Sequence, residues 1–345
     1  MEQVVTKRIG YIDALRGFAM ILVVYFHISA YGFCSYVTGY NDTIEHFRMP
    51  LFFFISGLLF NLSSWKGNPR QQIVRKFMTL IVPTTIFMIL YLIIFDYWDF
   101  ESLGSDKKGF WFTLVLFEFN IIYATTEGIL NKQNTAEGEI RVMILIVLLS
   151  VSAFYYAKYY TRYSEELGNW KTILGLFSFV KIRHIIFFWF GTFVRKHFDQ
   201  LQRITSNLYV MAILFGIFAV TITFPVVFST TGLEYIAYFI AGVSSVLLCF
   251  TLFRKKSTYF SNNTQFGKAL IYIGRRTLDI YLIHYFVLPY HIESIGYWLQ
   301  VYDYPIICMT ASIILSAFVI IISLLISWIL RQIPFLSKYL LGIRS

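Results

Sequence analysis

The stretch YIDALRGFAMILVVYFHISAYGF, residues 11–33, is long and apolar enough to cross a bilayer, yet it carries Asp13, Arg16 and His27. At about 100° per residue, the eleven steps from Arg16 to His27 make three helical turns plus roughly 20°. Asp13 falls roughly 40° off that line, so all three polar side chains share one stripe of a single membrane helix. At about 1.5 Å per residue, His27 lies some 16 Å beyond Arg16, past the midplane if Arg16 sits near one surface. A histidine at that depth is not a solvent-facing residue.

Composition places the rest of the chain in the same environment. Of 345 residues, 57% are hydrophobic, 20% aromatic and 14% charged, where a soluble domain carries roughly a quarter charged residues. The 36 Phe, 25 Tyr and 7 Trp suit lipid-facing surface and interfacial belts. The net charge of +10 reads first as charge placed on the cytoplasmic side; no basic run with a soluble fold around it supports a nucleic-acid partner. Three scattered cysteines, Cys34, Cys249 and Cys308, argue against a disulfide framework or a metal site. The first apolar stretch lacks a small-residue cleavage site, so it is expected to be retained rather than removed as a signal peptide.

Ten apolar runs of bilayer length follow one another, at about 12–33, 47–65, 77–97, 110–126, 140–157, 173–197, 208–228, 233–253, 269–290 and 305–330. Pro50 and Pro83 fall within the second and third, which membrane helices tolerate when neighbours satisfy the freed carbonyls. Glu118 lies inside the fourth, and Lys181, Arg183 and His184 interrupt the sixth. The N-terminus, the loops at 66–76, 132–141, 195–203 and 254–268, and the C-terminal tail hold 18 of the 29 Lys and Arg, against five in the alternate loops. This bias, with an even number of spans, places both termini in the cytoplasm, Arg16 near that face and His27 in the outer half. No internal repeat or soluble domain is visible, so the expectation is an all-α polytopic membrane protein, one bundle of about ten helices as a single domain over 1–345.

Charge inside a membrane is expensive and is usually functional or paired. Asp13 and Arg16 can form an (i, i+3) pair with His27 as a satisfied core residue, or the stripe can be catalytic. Arg48 opens the run RMPLFFFISG as a snorkelling residue or as part of a site. Four cations in KGNPRQQIVRK, from Lys66 to Lys76 and including Arg70 and Arg75, can hold an anion such as a nucleotide diphosphate or can fix topology beside anionic lipid. In GRRTLDIYLIH, residues 274–284, Asp279 is within helical reach of Arg275 and Arg276, and His284 lies deeper. The run KIRH, residues 181–184, near the outer surface, can meet an anionic acceptor or snorkel.

Together these motifs carry a resemblance. The run DALRG at 13–17 with Arg16 and His27 eleven apart, RMPLFFFISG at 48–57, and GRRTLDIYLIH at 274–284 resemble the acyltransferase-3 family of bacterial membrane proteins. Their order and spacing agree along nearly the whole chain. The resemblance implies transfer of an acyl group, most often acetyl, from cytoplasmic acyl-CoA to a hydroxyl of an envelope glycan or lipid-linked sugar. It makes the protein a multi-pass component of the cell inner (plasma) membrane and maps the family's essential Arg and His onto Arg16 and His27. Acyl-CoA is then a donor substrate, with no permanently bound cofactor. Donor contacts fall to Arg70, Arg75, Lys76, Arg275 and Arg276, and supporting roles to Asp13, Arg48, Glu118 and His284. The family tends to place two arginines, separated by two residues, in the loop after the second helix; here Arg70 and Arg75 are separated by four. Some relatives carry an extra extracytoplasmic esterase-like domain with no counterpart in this sequence. Delivery to a polymer is then expected to involve envelope-assembly proteins, a lipid-linked acceptor or a second copy of the chain.

The residue types suit that chemistry on their own terms. A thioester is already activated, so its transfer needs a base for the hydroxyl, stabilisation of the oxyanion and positioning of both substrates. His27 is a suitable base; Arg48 is nearest it in depth and is a candidate for the acceptor or oxyanion; Asp13 and Arg16 are too far along the helix to touch it. A rival reading is an exporter or flippase of a lipid-linked polysaccharide, whose substrate would emerge unmodified. A non-catalytic membrane partner in an envelope-assembly complex would leave the polar stripe without a reason.

Overall fold

The computed structural model describes residues 9–33, 40–95, 107–162, 175, 177–223, 233–289, 292–301 and 305–343. Every regular element among them is helical. In chain order the α-helices are α1 Gly10–His27, α2 Tyr40–Leu58, α3 Leu62–Gly67, α4 Pro69–Lys76, α5 Val82–Ile94, α6 Trp111–Leu130, α7 Ala136–Arg162 and α8 Ile185–Lys196. They continue as α9 Phe198–Ser206, α10 Leu208–Thr223, α11 Glu234–Lys255, α12 Gln265–Arg275, α13 Thr277–Ile283, α14 Glu293–Val301, α15 Pro305–Arg331 and α16 Pro334–Leu340. Cys34 and Lys171 lie outside the described residues.

Six helices are long and apolar enough to cross a membrane: Gly10–Gly32, Pro69–Ile94, Trp111–Leu130, Ala136–Tyr159, Glu234–Lys255 and Ile306–Arg331. A seventh results if α9 and α10, bent by 88°, are taken as one span. The other three apolar stretches are interrupted. The run at 47–65 is divided after Leu58, where Asn61 leaves helical geometry and its side chain accepts from the Ser64 amide to start α3. That at 173–197 enters α8 through a 3₁₀ segment, Phe179–His184. That at 269–290 breaks at Arg276 (φ −119°, ψ 21°), between α12 and α13. Pro83 falls inside the continuous span Pro69–Ile94, just after a π-helical turn, Phe77–Ile81, that joins α4 to α5.

The chain divides into two compact units, one from residues 1–52 and 198–329, the other from 53–197 and 330–345. In the first, α1 lies along α12 and also meets α11 and α13. Its apolar window is 72% buried, against 28% for Pro69–Ile94 and Ile306–Arg331, so α1 is an interior helix rather than one that shows a face to lipid. Two motif glycines make the α1–α12 contact possible. A Cβ on Gly17 would overlap the Leu270 carbonyl, and one on Gly274 would overlap the Asp13 carbonyl. The two backbones therefore meet directly, as small residues allow in membrane helices. Along α15, Ser312, Ser316, Ser323 and Ser327 are buried on one face while Ile313, Ile314, Phe318, Ile321 and Leu325 are exposed.

The second unit repeats the device with different helices. Gly57 of α2 is pressed against the Phe188 carbonyl, and Gly191 of α8 against the Phe54 carbonyl. Around this crossing Phe53, Phe54, Phe119, Phe187 and Phe188 are completely buried. Arg195, near the end of α8, donates to the Phe60 carbonyl at 2.7 Å and so satisfies backbone freed where α2 stops.

Candidate functional site

The three polar residues of α1 find partners in one short segment, 275–285. Asp13 Oδ2 accepts from Arg275 Nε at 3.0 Å, and Arg16 Nη2 donates to Thr277 Oγ1 at 2.9 Å. Two pairings expected from helical spacing are therefore replaced. Asp13 is joined to Arg275 and not to Arg16, because the Gly17–Gly274 contact brings the end of α12 against the first turns of α1. Asp279 is buried and accepts from the Ser327 hydroxyl, while Arg276 lies with its guanidinium carbon 3.8 Å from the centre of the Tyr272 ring.

At the other end of α1, His27 meets His284. Both rings are buried, their planes 6° apart, with His27 Nδ1 2.8 Å from His284 Nε2. His284 Nδ1 lies 3.0 Å from the Ile280 carbonyl. A carbonyl can only accept, so Nδ1 of His284 carries a hydrogen and, in the neutral ring, Nε2 is a bare acceptor. Nδ1 of His27 must then donate to it, which leaves Nε2 of His27 as a lone pair. The group facing that lone pair is the Tyr285 hydroxyl, at a long 3.4 Å. Both nitrogens of His284 are engaged by short contacts, while Nε2 of His27 has the long contact to Tyr285, which an acceptor hydroxyl can replace.

The backbone changes character at this point. Immediately after His27 the helix widens into a π-helical turn, Ile28–Gly32, a geometry frequent at functional sites. That turn carries Tyr31, whose ring centre is 5.5 Å from that of His27 and whose side chain is 45% exposed, so the cluster reaches the surface of its unit. Arg48 of α2 completes the group. Its guanidinium carbon is 3.3 Å from the centre of the Phe26 ring, it lies within electrostatic reach of Glu45, Tyr285, Tyr31 and His27, and its Nε is buried without a hydrogen-bond partner. A planar cation with an unused donor, on an aromatic face beside a base, can receive a developing negative charge.

The remaining candidates belong to the second unit. Arg70, Arg75 and Lys76 lie on α4 in the second unit, with Arg70 and Arg75 exposed. A second π-helical turn, Phe77–Ile81, follows them directly. Glu118 on α6 also belongs to that unit, with one buried carboxylate oxygen lacking a hydrogen-bond partner and Lys107 as its electrostatic neighbour. His184 of the KIRH run is buried against the rings of Phe53 and Trp111, with centroids 5.4 Å and 6.1 Å away. Sequence reasoning missed Thr277, Ser327, Tyr285 and Tyr31. Tyr31 had a signal, being one helical turn from His27; Thr277 and Ser327 had none, because their partners are decided by helix crossing.

Comparison with known proteins adds one finding. A family model described as an acyltransferase domain matches residues 9–332, which takes in α1, both glycine crossings and the histidine pair. No curated protein and no solved structure matches the chain. A match over nearly the full length, together with the long apolar helices, makes this chain a multi-pass membrane protein of the acyltransferase-3 family.

Proposed function

We propose that the protein transfers an acyl group, acetyl in the simplest case, from acyl-CoA to a hydroxyl of an envelope glycan or lipid-linked sugar, in the cell inner membrane. The observation that carries this reading is Nε2 of His27, met by the Tyr285 hydroxyl at a long 3.4 Å, beside the unpartnered Nε of Arg48. In the reaction, His27 Nε2 removes the proton of the acceptor hydroxyl as its oxygen forms a bond to the thioester carbonyl carbon. The carbonyl oxygen becomes an oxyanion, and Arg48 is the cation placed to hold it. Collapse breaks the carbon–sulfur bond, and the thiolate of CoA takes the proton back from His27. The Arg16–Thr277 and Asp13–Arg275 pairs lie about 16 Å and about 21 Å down α1 from the base by helix rise, which suits contacts to the phosphate end of an extended donor.

The test incubates purified protein with labelled acetyl-CoA and envelope extract and identifies the product by mass spectrometry. A labelled ester, absent with a folded His27→Gln variant, supports the reading; loss of a positioned base costs about 10²–10⁴ in rate. Near-native turnover by that variant removes His27 from the chemistry. A glycan that crosses the membrane unmodified, with acetyl-CoA untouched, points to export instead.

A further inference from the structure

Resting on the reading of His27 as the base, we infer that His284 is a positioning residue that, anchored by the Ile280 carbonyl, fixes His27 in the one tautomer able to accept a proton toward the substrate. The sequence leaves two histidines on facing helices, either of which could serve as base. The structure separates them by hydrogen-bond supply. His284 Nδ1 is held by Ile280 O at 3.0 Å, four residues back in the same helix, and His284 Nε2 is taken by His27 Nδ1 at 2.8 Å. No ring nitrogen of His284 is left to meet a hydroxyl.

A neutral histidine in a featureless pocket has two tautomers, and the one with hydrogen on Nε2 is useless as a base in that direction. Here the wrong tautomer of His27 would set a lone pair against a lone pair at the Nδ1–Nε2 contact. Because the Ile280 carbonyl cannot donate, His284 cannot switch tautomer to accommodate it without losing its own bond. The device needs no acid: a carbonyl, an imidazole and an imidazole, each handing on one hydrogen bond. It parallels the way a second group orients the base in triads, with a backbone carbonyl where those use a carboxylate. An uncharged anchor suits a site inside a membrane, where a carboxylate at the same place would be costly.

If His284 acts only by accepting, what matters at position 284 is an acceptor atom at the place of Nε2, not a titrating ring. His284→Gln supplies one through its side-chain oxygen, and His284→Leu supplies shape without it. We expect folded His284→Gln to keep kcat within about tenfold of wild type, and folded His284→Leu to lose about 10- to 100-fold in kcat with both KM values little changed, as expected for an orienting hydrogen bond. The kcat–pH profile of His284→Gln should keep a single limb from His27; the other polar groups facing that ring are His284 and Tyr285 from the opposite segment, Tyr31 from the π turn and Arg48 from α2. Nitrogen NMR of ¹⁵N-histidine protein, with His27 assigned by its loss in His27→Gln, gives a readout independent of turnover and of the Leu variant's folding. His27 should carry its hydrogen on Nδ1 in wild type and in His284→Gln.

Equal inactivity of folded His284→Gln and His284→Leu, full activity of His284→Leu, or a hydrogen on Nε2 of wild-type His27 would each overturn the inference. Wild-type activity lost in His27→Gln but kept in His284→Leu sinks only this inference. Acyl transfer surviving in His27→Gln sinks the base assignment on which it rests.

Discussion

Arg48 shows how far a single residue can be read before its neighbours are known. In the sequence it is a cation at the start of an apolar run, and snorkelling explains it well. In the fold its guanidinium lies against Phe26, within reach of His27, with a donor left over. A role at the oxyanion predicts that Arg48→Gln lowers kcat by about 10²–10³ while leaving the acyl-CoA KM nearly unchanged. A rise in KM alone would instead make Arg48 a binding group. The polar stripe of α1 was legible because helical periodicity needs only local spacing, and Asp13, Arg16 and His27 do turn to the same partner segment. Who bonds to whom was not. Asp13 chose Arg275 over Arg16 because an interhelical crossing, invisible in local sequence, set the nearer cation.

Among the elements, α1 and α12 decide the site, and their contact rests on two glycines. A methyl at 274 meets the Asp13 carbonyl, which is backbone and cannot swing aside. We therefore expect Gly274→Ala to cost about 1–3 kcal/mol and to lower the melting midpoint in detergent, with acyl transfer falling as the Asp13–Arg275 register shifts. Gly216→Ala in α10, where a Cβ meets nothing within 4 Å, is the matched control and should leave acyl transfer unchanged and the midpoint unchanged or slightly raised, since alanine favours a helix over glycine. Equal effects of the two substitutions would deny the crossing its role. In the sequence the two glycines are single letters of separate motifs; nothing in their spacing says that one lies against the other 257 positions later. Apolar run length likewise revealed the long spans but averaged across the breaks at Arg276 and after Leu58, where a hydrogen-bonding change and not hydrophobicity ends the helix.

For the whole molecule, the imbalance of 18 basic residues to five between alternate segments predicts cytoplasmic termini and a cytoplasmic α4. A cysteine introduced at position 70 should resist an impermeant thiol reagent in intact cells; labelling from outside inverts the topology. On the same side, Arg75 and Lys76 are expected to draw the phosphates of the donor. Neutralising both, as Arg75→Gln with Lys76→Gln, should raise the acyl-CoA KM several-fold and spare the acceptor KM. Unchanged donor KM in the folded double variant returns these cations to a topological role. The first unit is assembled from the two distant parts of the sequence that hold the histidine pair, with hydrogen bonds spanning 257 to 262 residues. That separation has a consequence for biogenesis. At about 5–20 residues per second, α1 leaves the ribosome on the order of 10 to 50 seconds before the segment that pairs with Asp13 and His27. During that interval the translocon must release, or an insertase must shelter, a helix whose polar stripe still lacks these partners. Nascent chains stalled before residue 265 should therefore be cross-linked through position 16 to the insertion machinery, and chains released past 290 should not.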